Sequence, residues 1–134
     1  MRFLLDTHIL IWFLKGDTQL SKMAREEISS DENKIFYSTL SIFEVEWKSV
    51  YRPEGISLNG TQLFELCKEA EFLQVPLKVP HILAIKNLNR AEDSPPHKDP
   101  FDQLMLCQAI VEDMIFMTHD KRIAEYETKN VFKV

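Results

Sequence analysis

Three glycines in 134 residues leave no material for a glycine-rich phosphate cradle, and no such motif occurs. Only two cysteines are present, Cys67 and Cys107. Both fall in apolar helical patterns without metal-ligand spacing. They read as buried thiols of a reducing, cytoplasmic compartment rather than as a zinc site or a disulfide framework. No apolar run is long enough to span a bilayer, which argues against a membrane protein. The opening residues Met1-Arg2-Phe3-Leu4-Leu5-Asp6 bring an acid early and no small-residue cleavage site, which reads against a secretory signal. Basic excess is missing too. The net charge is -5, so general attraction cannot bring a polyanion here. A polyanionic substrate would need a local basic patch or bound cations. No Ser/His/Asp arrangement with supporting context appears, nor does an internal repeat.

What is present is a globular composition, 45% hydrophobic and 28% charged, in a length that suits one domain over residues 1–134. Residues 2–5 form a short apolar strand ending in Asp6. Asp6-Thr7 caps a helix from about His8 to Lys15, apolar nearly all round from Ile9 to Leu14. That excess predicts a second contact, with a neighbouring helix or a partner chain. Gly16-Asp17 breaks it, and Ser21 caps an amphipathic helix within 20–30. Residues 34–38 read as a strand. A helix over about 41–51 follows, started by Thr39 or Ser41, with an inward stripe of Leu40, Phe43, Trp47 and Val50. Residues 61–71 form a helix with Leu63, Phe64, Leu66 and Cys67 inward. Phe72 to Pro76 is a weak strand. A helix from Pro80 to Leu88 should turn Ile82, Leu83, Ile85 and Leu88 inward. Asn89 to Lys98 is loop-like and a candidate lid. Phe101 to Glu112 is a central helix, 114–118 the clearest strand, and a short helix from Lys121 leads to a last strand near Val131-Phe132. This alternation predicts a three-layer α/β fold with a mainly parallel sheet.

In such sheets ligands bind beyond the carboxyl ends of the strands, near the point where strand order reverses. Asp6 follows the first strand directly, and Asp120 follows the fourth by two residues. Asp102 continues the inward line of Met105, Leu106 and Ala109. Glu44 borders the buried side of its own helix. Two charges about 5 Å apart repel by roughly 3 kcal/mol at an effective dielectric of about 20. A cluster of this kind persists when a cation neutralises it or when some of its members are protonated. Oxygen-only donors favour Mg²⁺ or Mn²⁺ over zinc. Such an ion polarises a phosphodiester and lowers the pKa of water.

The ordered set Phe3-Leu4-Leu5-Asp6-Thr7-His8, Ser41-Ile42-Phe43-Glu44-Val45 with Lys48, His97-Lys98-Asp99-Pro100-Phe101-Asp102, and Thr118-His119-Asp120 resembles the PIN-domain nucleases. It is most like the VapC-type toxins of bacterial toxin–antitoxin pairs. The resemblance covers the whole chain. It implies a five-stranded sheet in the order 3-2-1-4-5 with helices on both faces, and an Mg²⁺- or Mn²⁺-dependent endoribonuclease. By motif, Asp6, Glu44, Asp102 and Asp120 match the family's acidic, metal-binding positions. Asp99 matches an extra acid of one subgroup. Thr7 and Thr118 match supporting hydroxyl positions. Gln103 stands where that subgroup has arginine. The resemblance further implies an RNA substrate, a small antitoxin covering the acidic cleft, and a homodimer.

Each residue also has a plainer reading. Asp6, Asp99 and Asp120 are good helix caps, and Asp102 sits at N3 of its helix. Glu44 and Lys48 form an (i, i+4) pair, worth a few tenths of a kcal/mol. Capping and a site role coexist at Asp6, whereas at Asp99 the two readings weigh equally. Lys48 would orient Glu44 or meet phosphate. His8, His97 and His119 read as local hydrogen-bonding residues, with His8 or His97 the ones to touch substrate. Lys98, Lys121 and Arg122 flank the site and are candidates to hold phosphates, with solvated surface charge the default reading of each. Trp12 and Trp47 read as core or interface residues rather than base-stacking platforms. Two rival roles remain on the same fold: a nuclease of RNA maturation or structured DNA, and a regulatory binding domain without catalysis. The small size favours the toxin, and the retained acids disfavour the non-catalytic domain.

Overall fold

The computed structural model describes residues 1–55, 57–90 and 99–134. The candidate lid over residues 91–98, with His97 and Lys98, lies outside them. Five strands form one sheet: β1 (Arg2–Leu5), β2 (Lys34–Ser38), β3 (Leu73–Val75), β4 (Ile115–Thr118) and β5 (Val131–Lys133). Their order is β3-β2-β1-β4-β5, and every pairing is parallel. Seven α-helices complete the described chain: α1 (Thr7–Lys15), α2 (Lys22–Ser29), α3 (Thr39–Tyr51), α4 (Gly60–Glu69), α5 (Val79–Leu83), α6 (Pro100–Val111) and α7 (Lys121–Ala124). None is long and apolar enough to cross a membrane.

The two sheet faces follow from strand alternation. Phe3, Leu5, Ile35, Tyr37 and Met117 point to one side and pack with Ile9 and Leu10 of α1, Ala24 and Ile28 of α2, and Leu63 and Cys67 of α4. Leu4, Phe36 and Phe116 point to the other side and meet Met105, Leu106 and Ala109 of α6. The sheet is therefore covered on both faces, which explains why its strands read as continuous apolar runs. Both cysteines are buried and unpaired, as expected. Burial pushes the thiols up, Cys67 to about 12 and Cys107 to about 11, so neither is a reactive thiolate.

The second contact expected of α1 is a neighbouring helix, α4: Ile11, Trp12, Phe13 and Leu14 are half-buried against the core, and Phe13 meets Phe72 at 5.8 Å. Other helix readings need correction. Helix α3 is capped by Ser38, whose hydroxyl accepts from the Leu40 N–H (3.0 Å). Its inward residues are Leu40, Ser41 and Val45, whereas Phe43, Trp47 and Val50 are exposed. The helix is rotated to bring a polar line, Ser41, Glu44 and Lys48, towards the strand ends. The displaced aromatics form a surface ridge, with Trp47 against Tyr51 at 5.0 Å and Phe43 against Phe101 at 5.6 Å. Phe64 of α4 is likewise on the surface.

The segment from Pro80 to Leu88 is a short α5 followed by a 3₁₀ turn over Ala84–Asn87, with Ile82, Leu83 and Ile85 exposed. The buried residue there is His81. Its Nδ1 accepts from the Lys78 N–H (2.9 Å), and its Nε2 meets Glu112 Oε1 at 3.0 Å. Both ring nitrogens are satisfied, which makes burial of a polar ring acceptable.

Candidate active site

The strand order reverses at β1, which has β2 on one side and β4 on the other. A crevice opens at the carboxyl ends on such a reversal. Leu5 pairs with Met117, and the Asp6 N–H donates to the Met117 carbonyl (2.9 Å), so pairing continues one residue past β1. Asp6 is the N-cap of α1 and also faces the crevice. Its Oδ1 accepts from the Thr7 N–H and its Oδ2 from the Thr118 hydroxyl, both at 2.7 Å. Thr118 in turn accepts from the Asp120 N–H (3.1 Å). The Thr118 hydroxyl thus donates one bond and accepts another, and the ends of β1 and β4 are locked together. Burial raises the Asp6 pKa, and the Thr118 hydrogen bond works against that rise.

Glu44 reaches the same place from α3. Thr7 Oγ1 donates to its Oε1 (3.0 Å) and Lys48 Nζ to its Oε2 (2.9 Å). Thr7 Oγ1 also lies 2.8 Å from buried Ser41 Oγ. With the Thr7 proton on Glu44, Ser41 supplies the proton of that bond. Ser41 therefore belongs to the framework of the site. In the sequence it read as a helix start and as the first residue of the Glu44 motif, with no signal of a contact to Thr7.

Asp99 caps α6, accepting from the Phe101 N–H (3.0 Å) and the Asp102 N–H (3.4 Å). Asp102 sits on the first turn of α6, above the buried line of Met105, Leu106 and Ala109. Burial is the main influence on its carboxyl group, followed by the charges of Asp6, Asp99, Asp120 and Glu44; together they push its pKa up to about 8. Asp102 thus keeps a proton at neutral pH and is where the field of the other four acids converges. Asp120 caps α7 by accepting from the Arg122 N–H (2.8 Å). The Arg122 guanidinium also grips it, Nε to Oδ1 at 3.3 Å and Nη2 to Oδ2 at 3.0 Å.

All five acids line one cleft of about 480 Å³, together with Lys48 and Arg122. His8, Trp12, Gln19 and His119 line it as well. Trp12 packs against the core, as the sequence suggested, and also lines this cleft; Arg122, read as solvated charge flanking the site, is exposed and grips Asp120. Gln103 turns elsewhere, donating to the Tyr126 hydroxyl (3.1 Å).

The donor set is carboxylate oxygen throughout, which suits a hard divalent cation. Among the described residues, no three His, Cys, Asp or Glu side chains form a closed metal-ligating group. The carboxylates are instead held by separate partners: Asp6 by the two threonines, Glu44 by Lys48, Asp120 by Arg122. The chemistry of the donors fits such an ion, and their placement is that of an open cleft.

No curated protein is matched by this sequence. The fold is similar to a chain in the crystal structure of VapBC2 from Rickettsia felis bound to a DNA fragment from their promoter. The TM-score is 0.68 at 13% identity, over 99% of this chain and 98% of that one. An identity this low makes the likeness one of fold. The sequence model for the PIN domain matches residues 3–129, nearly the whole length, and the chain belongs to the PIN-domain family.

Proposed function

We propose that the protein is a Mg²⁺- or Mn²⁺-dependent endoribonuclease and the toxin of a toxin–antitoxin pair, acting in the cytoplasm as a single domain. The observation that carries this reading is the convergence of Asp6, Glu44, Asp102 and Asp120, from four separate elements, on one cleft at the reversal of strand order. These four are the proposed ligands. Asp99 starts the helix that aims Asp102 and adds negative charge to the same cleft.

A bound Mg²⁺ or Mn²⁺ supplies Lewis acidity to the phosphodiester and lowers the pKa of water. The chain's own residues then have distinct tasks. Thr118 and Thr7 fix the oxygens of Asp6 and Glu44, and Ser41 fixes Thr7. Lys48 orients Glu44, and Arg122 holds Asp120 while keeping a positive charge at the cleft. These two cations are the local basic groups that an acidic protein needs to meet a phosphate backbone. Direct hydrolysis joins the water oxygen to phosphorus and breaks the bond to the 3′ oxygen, leaving 5′-phosphate and 3′-hydroxyl ends.

The fold likeness to a chain of the VapBC2 complex supports an antitoxin protein as partner, and we assign it to the acidic cleft. The exposed ridge of Phe43, Trp47, Val50 and Tyr51 supports a protein interface, to which we assign the homodimer. Incubating RNA with the protein across a Mn²⁺ titration and analysing the product ends tests the catalytic reading. Cation-dependent 5′-phosphate products support it; products ending in a 2′,3′-cyclic phosphate, or cleavage unchanged by a chelator, oppose it.

A further inference from the structure

The helices that carry Glu44 and Asp102 meet in rungs one helical turn apart. Ser38, the N-cap of α3, bonds to Gln108 of α6, and Ser41 touches Met105. Glu44 and Asp102 stand three residues further along in each case, where both line the cleft. Residue numbers rise along α3 as they fall along α6, so the two helices pass in opposite directions. Phe43 against Phe101, at 5.6 Å, flanks the rung of the acids. The ladder thus runs from a polar rung inside the protein to a pair of carboxylates at its surface.

The inner rung is unlike the core around it. Gln108 and Ser38 are both fully buried, and the neighbours of Gln108 on α6 are Met105, Leu106, Cys107 and Ala109. The Ser38 hydroxyl donates to Gln108 Oε1 (2.6 Å), and its oxygen accepts from the Leu40 N–H (3.0 Å). Gln108 Nε2 donates to the Val75 carbonyl at the end of β3 (3.3 Å). A buried amide is costly unless it is paired, and an apolar side chain of the same volume would fill the space without that risk. An apolar contact lacks direction, however, and tolerates sliding. A hydrogen bond weakens steeply once its geometry is lost, and buried polar groups are best attested as setters of register. The middle rung cannot do this, because Met105 Sδ lies 3.7 Å from Ser41 Oγ and a thioether adapts to its surroundings. A slip of one residue along α6 is about 1.5 Å, enough to misplace a carboxylate at a reacting centre.

We propose that Gln108 is a positioning residue of the site: its buried bonds to Ser38 and Val75 set the register of α6 on α3 and so place Asp102 beside Glu44. This rests on the metal-dependent reading above. Gln108→Met keeps the volume and removes both bonds. It is expected to weaken Mn²⁺ binding about tenfold in calorimetric titration. At saturating Mn²⁺ it should lower kcat about tenfold and leave the KM for RNA within about twofold, since Lys48 and Arg122 are untouched. Ser38→Ala should give a similar loss, and Ser38→Thr should restore most of it. The double variant Ser38→Ala/Gln108→Met should lose little beyond Gln108→Met alone, because the two side chains act as one link.

Mn²⁺ affinity and kcat unchanged in Gln108→Met, or losses that add in the double variant, overturn the register role. If Gln108→Met does not fold, Ser38→Ala against Ser38→Thr decides by the same affinity, and equal affinities overturn it. A wild-type protein that binds no Mn²⁺ overturns the metal reading, and hydrogen exchange then decides the link by itself. Without metal, Gln108→Met is expected to exchange the amides of α3 and α6 several-fold faster, with those of α2 on the other sheet face unchanged. Unchanged exchange in α6 overturns the link.

Discussion

Thr118 Oγ1 donates a 2.7 Å hydrogen bond to Asp6 Oδ2, joining the ends of two strands whose residues are 112 positions apart in sequence. That bond aligns a buried carboxylate and offsets part of the pKa rise that burial causes. Replacing Thr118 by Val keeps the shape and removes the donor. Loss of a buried partner costs about 1–3 kcal/mol, and loss of a group that orients a metal ligand costs about 10- to 100-fold in affinity or activity. Thr118→Val is expected to lower both the melting temperature and Mn²⁺ affinity, and Thr118→Ser to restore most of each. Calorimetric titration with Mn²⁺ and thermal denaturation measure the two effects.

Asp102 gives the protein a pH signature in chelator. Its pKa is 3.8 as an ordinary Asp and about 8 in the fold, raised first by burial and then by its acidic neighbours. Between those values the folded chain holds a proton that the unfolded chain has released. The contribution to stability is therefore complete below about pH 4 and is lost as pH rises through about 8. Asp102→Asn is neutral at every pH. In chelator the variant is expected to be more stable than the wild type at pH 8 and above, by several degrees in melting temperature, and the gap should shrink towards pH 4. Thermal denaturation across pH in EDTA checks this.

The same proton links cation uptake to pH. A divalent ion at the acids must displace it, so affinity for Mn²⁺ should rise from pH 6 to 8, with up to about one proton released per ion through Asp102. Titrations repeated in buffers of different ionisation enthalpy count that proton. Asp102→Asn should bind the ion more weakly and lose this dependence.

Arg122 competes with a cation for Asp120, which it grips with two nitrogens. Arg122→Ala is expected to tighten Mn²⁺ binding several-fold by removing a competing positive charge. It should also weaken RNA binding and lower the salt slope of that binding by about one. Isothermal titration and binding measured at a series of salt concentrations separate the two effects.

Much of this site was readable from the order of residues because strand ends and caps are local. Asp6 after an apolar run, Asp99-Pro100 before α6, and Asp120 before α7 each carry a short-range rule, and the structure realises all three caps. Residues that depend on helix rotation were not readable. In α3 two faces compete: Leu40, Phe43, Trp47 and Val50 are the more apolar, yet Ser41 and Val45 are buried and Phe43, Trp47 and Val50 are not. Periodicity identifies a helix, but it cannot say that a polar line is needed inward at a site. His81 was hidden for a similar reason, since its burial depends on a backbone N–H and a distant carboxylate. Trp12 looked like core because α1 is apolar nearly all round, and only the placement of β4 brings His119 and the acids beside it.

The central claim is that Asp6 and its neighbours hold a divalent cation that drives RNA hydrolysis. The most direct measurement compares wild-type protein with Asp6→Asn on one RNA, in Mn²⁺ and in EDTA. The account predicts cleavage by the wild type in Mn²⁺ alone, and a loss of at least about 100-fold for Asp6→Asn in a variant that remains folded. Equal cleavage by the two proteins would contradict it.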